Sequence, residues 1–168
     1  MKRLVILLFL TIVNIHLRVH AIEYGTNGIL VSQSDYSYSF TTTEMKVAEK
    51  ALVESYEMVE WDTMWPSYEK DGSTTKKLGD FRTYIDNAFQ SIDKLQFRLQ
   101  GKSLWIDYYV KRDGSIICKA IRTYEYDLLN YASTDMVKQM IKVLCEYKFK
   151  EASVKENYYL HLHTVVSF

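Results

Sequence analysis

The run Leu104-Trp105-Ile106-Asp107-Tyr108-Tyr109-Val110-Lys111-Arg112-Asp113-Gly114-Ser115-Ile116-Ile117-Cys118 carries the clearest structural signal in the chain. Leu104, Ile106, Tyr108 and Val110 alternate with Trp105, Asp107 and Tyr109, the two-residue period of a strand with one face on a core. Asp113-Gly114 breaks the run and a second apolar stretch begins at Ile116, which is the signature of a β-hairpin. Consecutive Ile116 and Ile117 blur the alternation of the second strand, 116–123, and predict a bulge after the turn.

Downstream, Asp127 to Ser133 reads as a connection, and Ser133 or Thr134 can cap a helix over 134–147 whose stripe is Met136, Met140, Val143, Leu144 and Tyr147. The chain closes on a strand from Tyr158. There Tyr158, Leu160, Leu162, Val166 and Phe168 point one way, and Tyr159, His161, His163 and Ser167 the other. Upstream, Phe81, Ile85, Ala88, Phe89, Ile92 and Leu95 share a helical stripe that Gly101 ends, and Asp62 to Lys77, with Pro66 and Asp71-Gly72, reads as a loop. A helix over 44–60, capped by Thr42 or Thr43, is expected from Val47, Ala48, Ala51, Leu52 and Val59. Residues 22–43, rich in Ser, Tyr and Gly, read as a loose lead-in or a short edge strand without a core of its own.

The expected class is therefore α+β: a three-stranded antiparallel-type sheet packed on helices, with an N-terminal helical extension. Residues 1–21 form the export signal, 22–43 the lead-in, 44–78 the helical extension and loop, and 79–168 the folded domain.

Composition supports one globular domain: 168 residues, 48% hydrophobic and 25% charged, with a single proline. Lys2 and Arg3 precede the apolar run Leu4 to Val13, and Val19-His20-Ala21 offers a small residue for cleavage. The run is broken at Asn14 and His16 and is shorter than the roughly 20 residues of a spanning helix, so a cleaved signal is expected over a retained anchor. Without Lys2, Arg3 and Arg18 the chain keeps 18 basic against 21 acidic residues and no basic block, which argues against a nucleic-acid partner. Periplasmic or secreted localisation follows.

In such a compartment Cys118 and Cys145 can form a bridge, worth roughly 3–4 kcal/mol by chain entropy, or remain two buried free thiols. Neither thiol has an activating context, and serine-hydrolase, phosphate-loop and dinucleotide signatures are absent from the sequence. His161 and His163 project from one sheet face at a spacing that can chelate a metal, but no third ligand lies near them in sequence. No enzyme activity, metal or cofactor is expected.

Taken in order, Leu99-Gln100-Gly101, the turn Lys111-Arg112-Asp113-Gly114-Ser115-Ile116, Lys148-Phe149-Lys150-Glu151-Ala152 and Val165-Val166-Ser167-Phe168 resemble motifs of the TonB C-terminal domain family. Gly79-Asp80-Phe81 and Tyr84-Ile85 resemble that family's leading helix, so the likeness spans roughly 79–168. It implies a periplasmic module that adds an extended segment of an outer-membrane protein to a sheet edge, here residues 158–166, unless that strand is internal or blocked by the extension. With a cleaved signal and one proline, force transmission from a membrane anchor across a proline-rich spacer is not expected.

The function expected is thus an exported, non-enzymatic protein-binding or cell-envelope accessory module, with a protein of the envelope or outer membrane as its partner. The alternative is a small secreted domain that binds a ligand or carbohydrate on the Trp105, Tyr109 and His161 face. Trp105, Tyr109, Tyr159, His161 and His163 are the candidate partner-binding residues, since they share the sheet face opposite Leu104 and Leu160. Either the 44–60 helix covers that face or it is a recognition surface.

Overall fold

The computed structural model describes residues 22–34, 36–59, 73–149 and 158–168. The expected export signal, most of the Asp62–Lys77 loop and Lys150-Glu151-Ala152 lie outside the described residues. The elements are β1 (Ile22–Thr26), β2 (Ile29–Ser34), β3 (Ser37–Thr42), α1 (Thr43–Ser55), β4 (Glu57–Val59), α2 (Ser73–Gln90), α3 (Leu95–Arg98), β5 (Ser103–Val110), β6 (Ile116–Tyr124), a 3-10 turn (Leu128–Asn130), α4 (Thr134–Glu146) and β7 (Tyr158–Ser167).

The strands form one seven-stranded sheet in the order β1-β2-β3-β6-β5-β7-β4. Its neighbours are antiparallel except for the parallel β4/β7 pair. The expected three-stranded sheet, β6-β5-β7, is only part of it, extended by β1-β2-β3 on one side and β4 on the other. The expected loose lead-in is instead a three-stranded meander. Asn27 and Gly28, at φ 47 and 81, close a two-residue turn between β1 and β2, and the mirror-image turn geometry they adopt matches the twist of the strands. As expected it has no core of its own: Ile29, Val31 and Phe40 are fully buried in the main core.

The core lies between one sheet face and helices α2, α3 and α4. Leu104, Ile106, Tyr108 and Val110 of β5 meet Leu160, Leu162 and Val166 of β7 on that face, beneath Phe81, Ile85 and Phe89 of α2 and Val137, Met140, Ile141 and Leu144 of α4. Ser133 caps α4 by accepting from the Met136 amide at 3.3 Å. The two other long helices differ from expectation in extent. Helix α1 stops at Ser55 and gives way to β4, while α2 begins at Ser73, inside the expected loop.

The bulge of β6 falls inside the strand, away from the turn. Asp107 pairs with Ala120 and Tyr108 with Cys118, leaving Lys119 as the extra residue. Even-numbered Ile116 and Cys118 face the core before it, and odd-numbered Ile121 and Thr123 after it.

Gly114 fixes the hairpin turn. Its φ is +79, its carbonyl accepts from the Phe149 amide at 2.9 Å, and a Cβ there would overlap the Phe149 carbonyl oxygen. Gly101 has a similar φ of +73, but a Cβ there meets nothing within 4 Å. Gly101→Ala is therefore expected to cost only the left-handed backbone penalty, about 1–2 kcal/mol. Gly114→Ala is expected to cost about 2 kcal/mol more, from the overlap with backbone. Urea midpoints compare the two; equal losses would show that the turn moves freely away from Phe149.

Candidate functional site

Strand register assembles the second sheet face row by row. One row runs Ser32, Ser39, Arg122, Trp105, Val165 across five strands. The next places Leu30 beside Thr41, and Ala120 beside Asp107 and His163. The third sets Tyr109 between Ile117 and His161.

Helix α1 crosses this face from the end of β3 toward β4 at the far edge, and it covers the hairpin end. Glu49 and Leu52 face the sheet here, while Met45 packs on the main core; Val47, expected in the stripe, is 65% exposed. The rotation has a chemical reason. The face below offers a phenol, and Glu49 Oε1 accepts from Tyr109 Oη at 2.9 Å. Burial, and then the Glu49 carboxylate, push the Tyr109 phenol well above its ordinary value of 10.0. Leu52, Tyr109 and Tyr159 form a small second core with Ile117 packed against it.

The five expected residues are therefore divided. Tyr109, Tyr159 and His161 come together, with the Tyr109 ring 5.2 Å from that of Tyr159 and 5.0 Å from that of His161. The two tyrosines are buried beneath α1, which removes them from the recognition surface expected for them. Trp105 and His163 lie on the open end, half-buried and exposed respectively, and Trp105 packs edge-on against Tyr124 at 5.6 Å. Among the described residues no group of three His, Cys, Asp or Glu could hold a metal ion.

Between the two ends sits a polar hollow of about 290 Å³. Ser32, Ser39 and Thr41 line it with hydroxyls, and Lys46, Lys119 and Arg122 with cations. Asp107, on its floor, is 5% exposed. Arg122 Nη2 donates to Asp107 Oδ1 at 2.9 Å, and Nε stands 2.6 Å from Oδ2, an ion contact off the hydrogen-bond line. Lys46 is 3.5 Å from Glu49, and Lys119 rests 5.4 Å from the centre of the Tyr109 ring. The Thr41 hydroxyl is buried without a hydrogen-bond partner.

Sequence patterning misses this site for a definite reason. Lys119 and Arg122 are three residues apart, and a regular strand would send them to opposite faces. The bulge at Lys119 puts both in the same hollow.

A larger hollow of about 730 Å³ opens between the start of α1 and α4, over Met45, Ile141 and Cys145. Its lining includes Lys138 and Lys142 as well as Glu44 and Glu146, so its charges balance. Of the two alternatives for the cysteines, the structure has the free thiols: Cys118 is buried under α4, and Cys145 Sγ lies 3.7 Å from Met45 Sδ. Burial raises both thiols above the ordinary 9.0, which disfavours a nucleophilic thiolate.

Removing Arg122 leaves the Asp107 carboxylate buried without its cation. Because Arg122 is about a third exposed, Arg122→Ala is expected to cost about 2–3 kcal/mol, below the range for fully buried pairs. Asp107→Ala together with Arg122→Ala should recover at least half of that in urea melts; a loss equal to the sum of the two single losses would mean that the two are uncoupled. His161 supplies a pH test. Its Nε2 is buried without a partner, and burial, followed by Lys119, holds the imidazole below 6.5 against the opposing pull of Asp107. The unfolded chain binds this proton first, so the stabilisation is complete above about 6.5 and is lost as pH falls through the lower folded value. His161→Gln should flatten the decline in Tm between about pH 6.5 and 5; an unchanged profile would exclude this histidine as its source.

No family model matches the sequence, and no curated protein matches it. Among solved structures, the fold is similar to that of a DUF5043 family protein from Bacteroides uniformis, with a TM-score of 0.53 and 13% identity. The match covers 89% of this chain and 86% of that one. At that identity the likeness is one of fold, a mixed α+β domain.

Proposed function

We propose that the protein is an exported, non-enzymatic binding module that takes a small polar ligand on the open end of its second sheet face. The observation that carries this reading is the Asp107–Arg122 pair, set in a hollow that Lys46 of α1 also lines, with half-buried Trp105 paired to Arg122 across the strands. A paired arginine is already oriented before a ligand arrives, which lowers the ordering cost of binding. The Trp105 indole, next to Arg122 on the same face, adds an apolar platform for a ring. A few placed polar groups beside an aromatic surface are the usual make-up of a ligand site.

Edge addition of an extended peptide from an envelope protein is the second reading. It is favoured by the pairing of β4, which among the described residues reaches Tyr158, Tyr159 and Leu160 of the ten-residue β7. Among the described residues no strand pairs with the outer edge of 161–167.

One variant separates the two. With Trp61→Phe and Trp65→Phe, Trp105 is the sole indole of the chain. Titration with a panel of neutral and acidic sugars and extended peptides should then quench its fluorescence for a bound sugar. Trp105→Ala should weaken that sugar at least tenfold while leaving Tm within a few degrees. A peptide ligand whose affinity survives Trp105→Ala would favour the β7 edge, and a sugar whose affinity survives it would remove the face reading.

A further inference from the structure

We infer that the ligand of this face is a small hydroxylated acid, of the size of one sugar ring, whose carboxylate is held by Lys46, Lys119 and Arg122. The inference rests on the face being a ligand site, and it adds the ligand's charge and size. The hollow's own charges set the sign. Its lining has three cations and one carboxylate, Asp107. Asp107 is already matched by Arg122, and Lys46 shares Glu49, whereas among the described residues Lys119 has only the Tyr109 ring as its partner. Among the described residues no carboxylate lies within ion-pairing distance of Lys119. An incoming carboxylate would complete that cation and accept charge-assisted hydrogen bonds from its neighbours.

The other half of the lining asks for hydroxyls. Thr41 is 5% exposed, faces the hollow and has no hydrogen-bond partner for its hydroxyl, an unusual state for a buried polar group. Ser32 and Ser39 sit beside it, directly paired across β2 and β3. Hydroxyls both donate and accept, so they match alcohol groups on a ligand and would add little to a bare anion. Volume sets the size: about 290 Å³ is at the lower end for ligand sites, enough for one ring and its substituents.

The test uses the purified protein at low ionic strength and three probes: glucuronate, glucose and inorganic phosphate. Amide resonances of Ser39, Thr41, Lys119 and Arg122 report on the hollow, and those of Trp105 and His163 on the open face. Glucuronate should shift the hollow's resonances, glucose should bind at least tenfold more weakly, and phosphate should be weaker than glucuronate. Lys46→Ala and Lys119→Ala alter partly exposed side chains, and each should weaken glucuronate fivefold or more with Tm preserved. Raising salt from about 20 to 200 mM should weaken it further, since screening acts on the same charges. Glucose binding as tightly as glucuronate, with shifts at Trp105, would overturn the acid and leave the face reading standing. Phosphate binding as tightly as glucuronate would overturn the hydroxylated part. No shift anywhere on the face with any probe would overturn both readings.

Discussion

Gly114 sits at φ +79 with its carbonyl bonded to the Phe149 amide and no room for a Cβ, and this close approach of two backbones holds the β5–β6 hairpin in one register. From that register the rest of the sheet follows. Tyr108 stands opposite Cys118 and Leu162, and Ile106 opposite Ile121, so the core face of three strands is set by one turn. A strand slipped by one residue would turn Leu104, Ile106 and Tyr108 toward water. The contact also ties the chain after α4 to the hairpin, reinforced by the bridge between Ser115 and Lys148.

The bulge at Lys119 gives the same hairpin a second role. Without it Ile121 would leave the core or Arg122 would enter it; with it, apolar residues stay below the sheet while Lys119 and Arg122 gather above. A bulge that re-aims side chains is a recurrent device near functional surfaces. Helix α1 completes the arrangement by crossing only the hairpin end of the upper face. There it buries Tyr109 and Tyr159 under Leu52 and Glu49, and it leaves Trp105 and His163 outside. The protein is thus three layers at one end and two at the other, and the hollow lies at the step between them.

Some of this was legible in the residues. The alternation from Leu104 to Val110, the Asp113-Gly114 turn, the capped helix from Ser133 and the terminal strand all appear where their local signals place them, because each depends on neighbours within a few positions. Local signals in the N-terminal meander support no more than a loose lead-in or a short edge strand, although Asn27-Gly28 is a strong hairpin turn. Its strands have consecutive Ile29, Leu30 and Val31 and a run of serines, which hide the alternation until pairing shows Ile29 and Val31 facing the core and Leu30 facing the hollow. The stripe expected for helix α1 holds at Leu52 and fails at Val47, and it omits Glu49 for a related reason: Glu49 is polar by type, yet it faces inward because Tyr109 supplies its partner.

The sequence alone determined the local units: which segments alternate, where the hairpin turns, and that Trp105, Tyr109, His161 and His163 share a face. These follow from backbone periodicity and turn chemistry, which act over short distances along the chain. Only the tertiary structure decided which of those residues α1 buries, and that the meander widens the sheet to bring Ser39 and Thr41 beside Arg122. It also decided that one extra residue at Lys119 turns a non-alternating pair of cations into neighbours. Those outcomes depend on pairings between residues far apart in the chain, where a single bulge or a crossing helix changes which side chains meet.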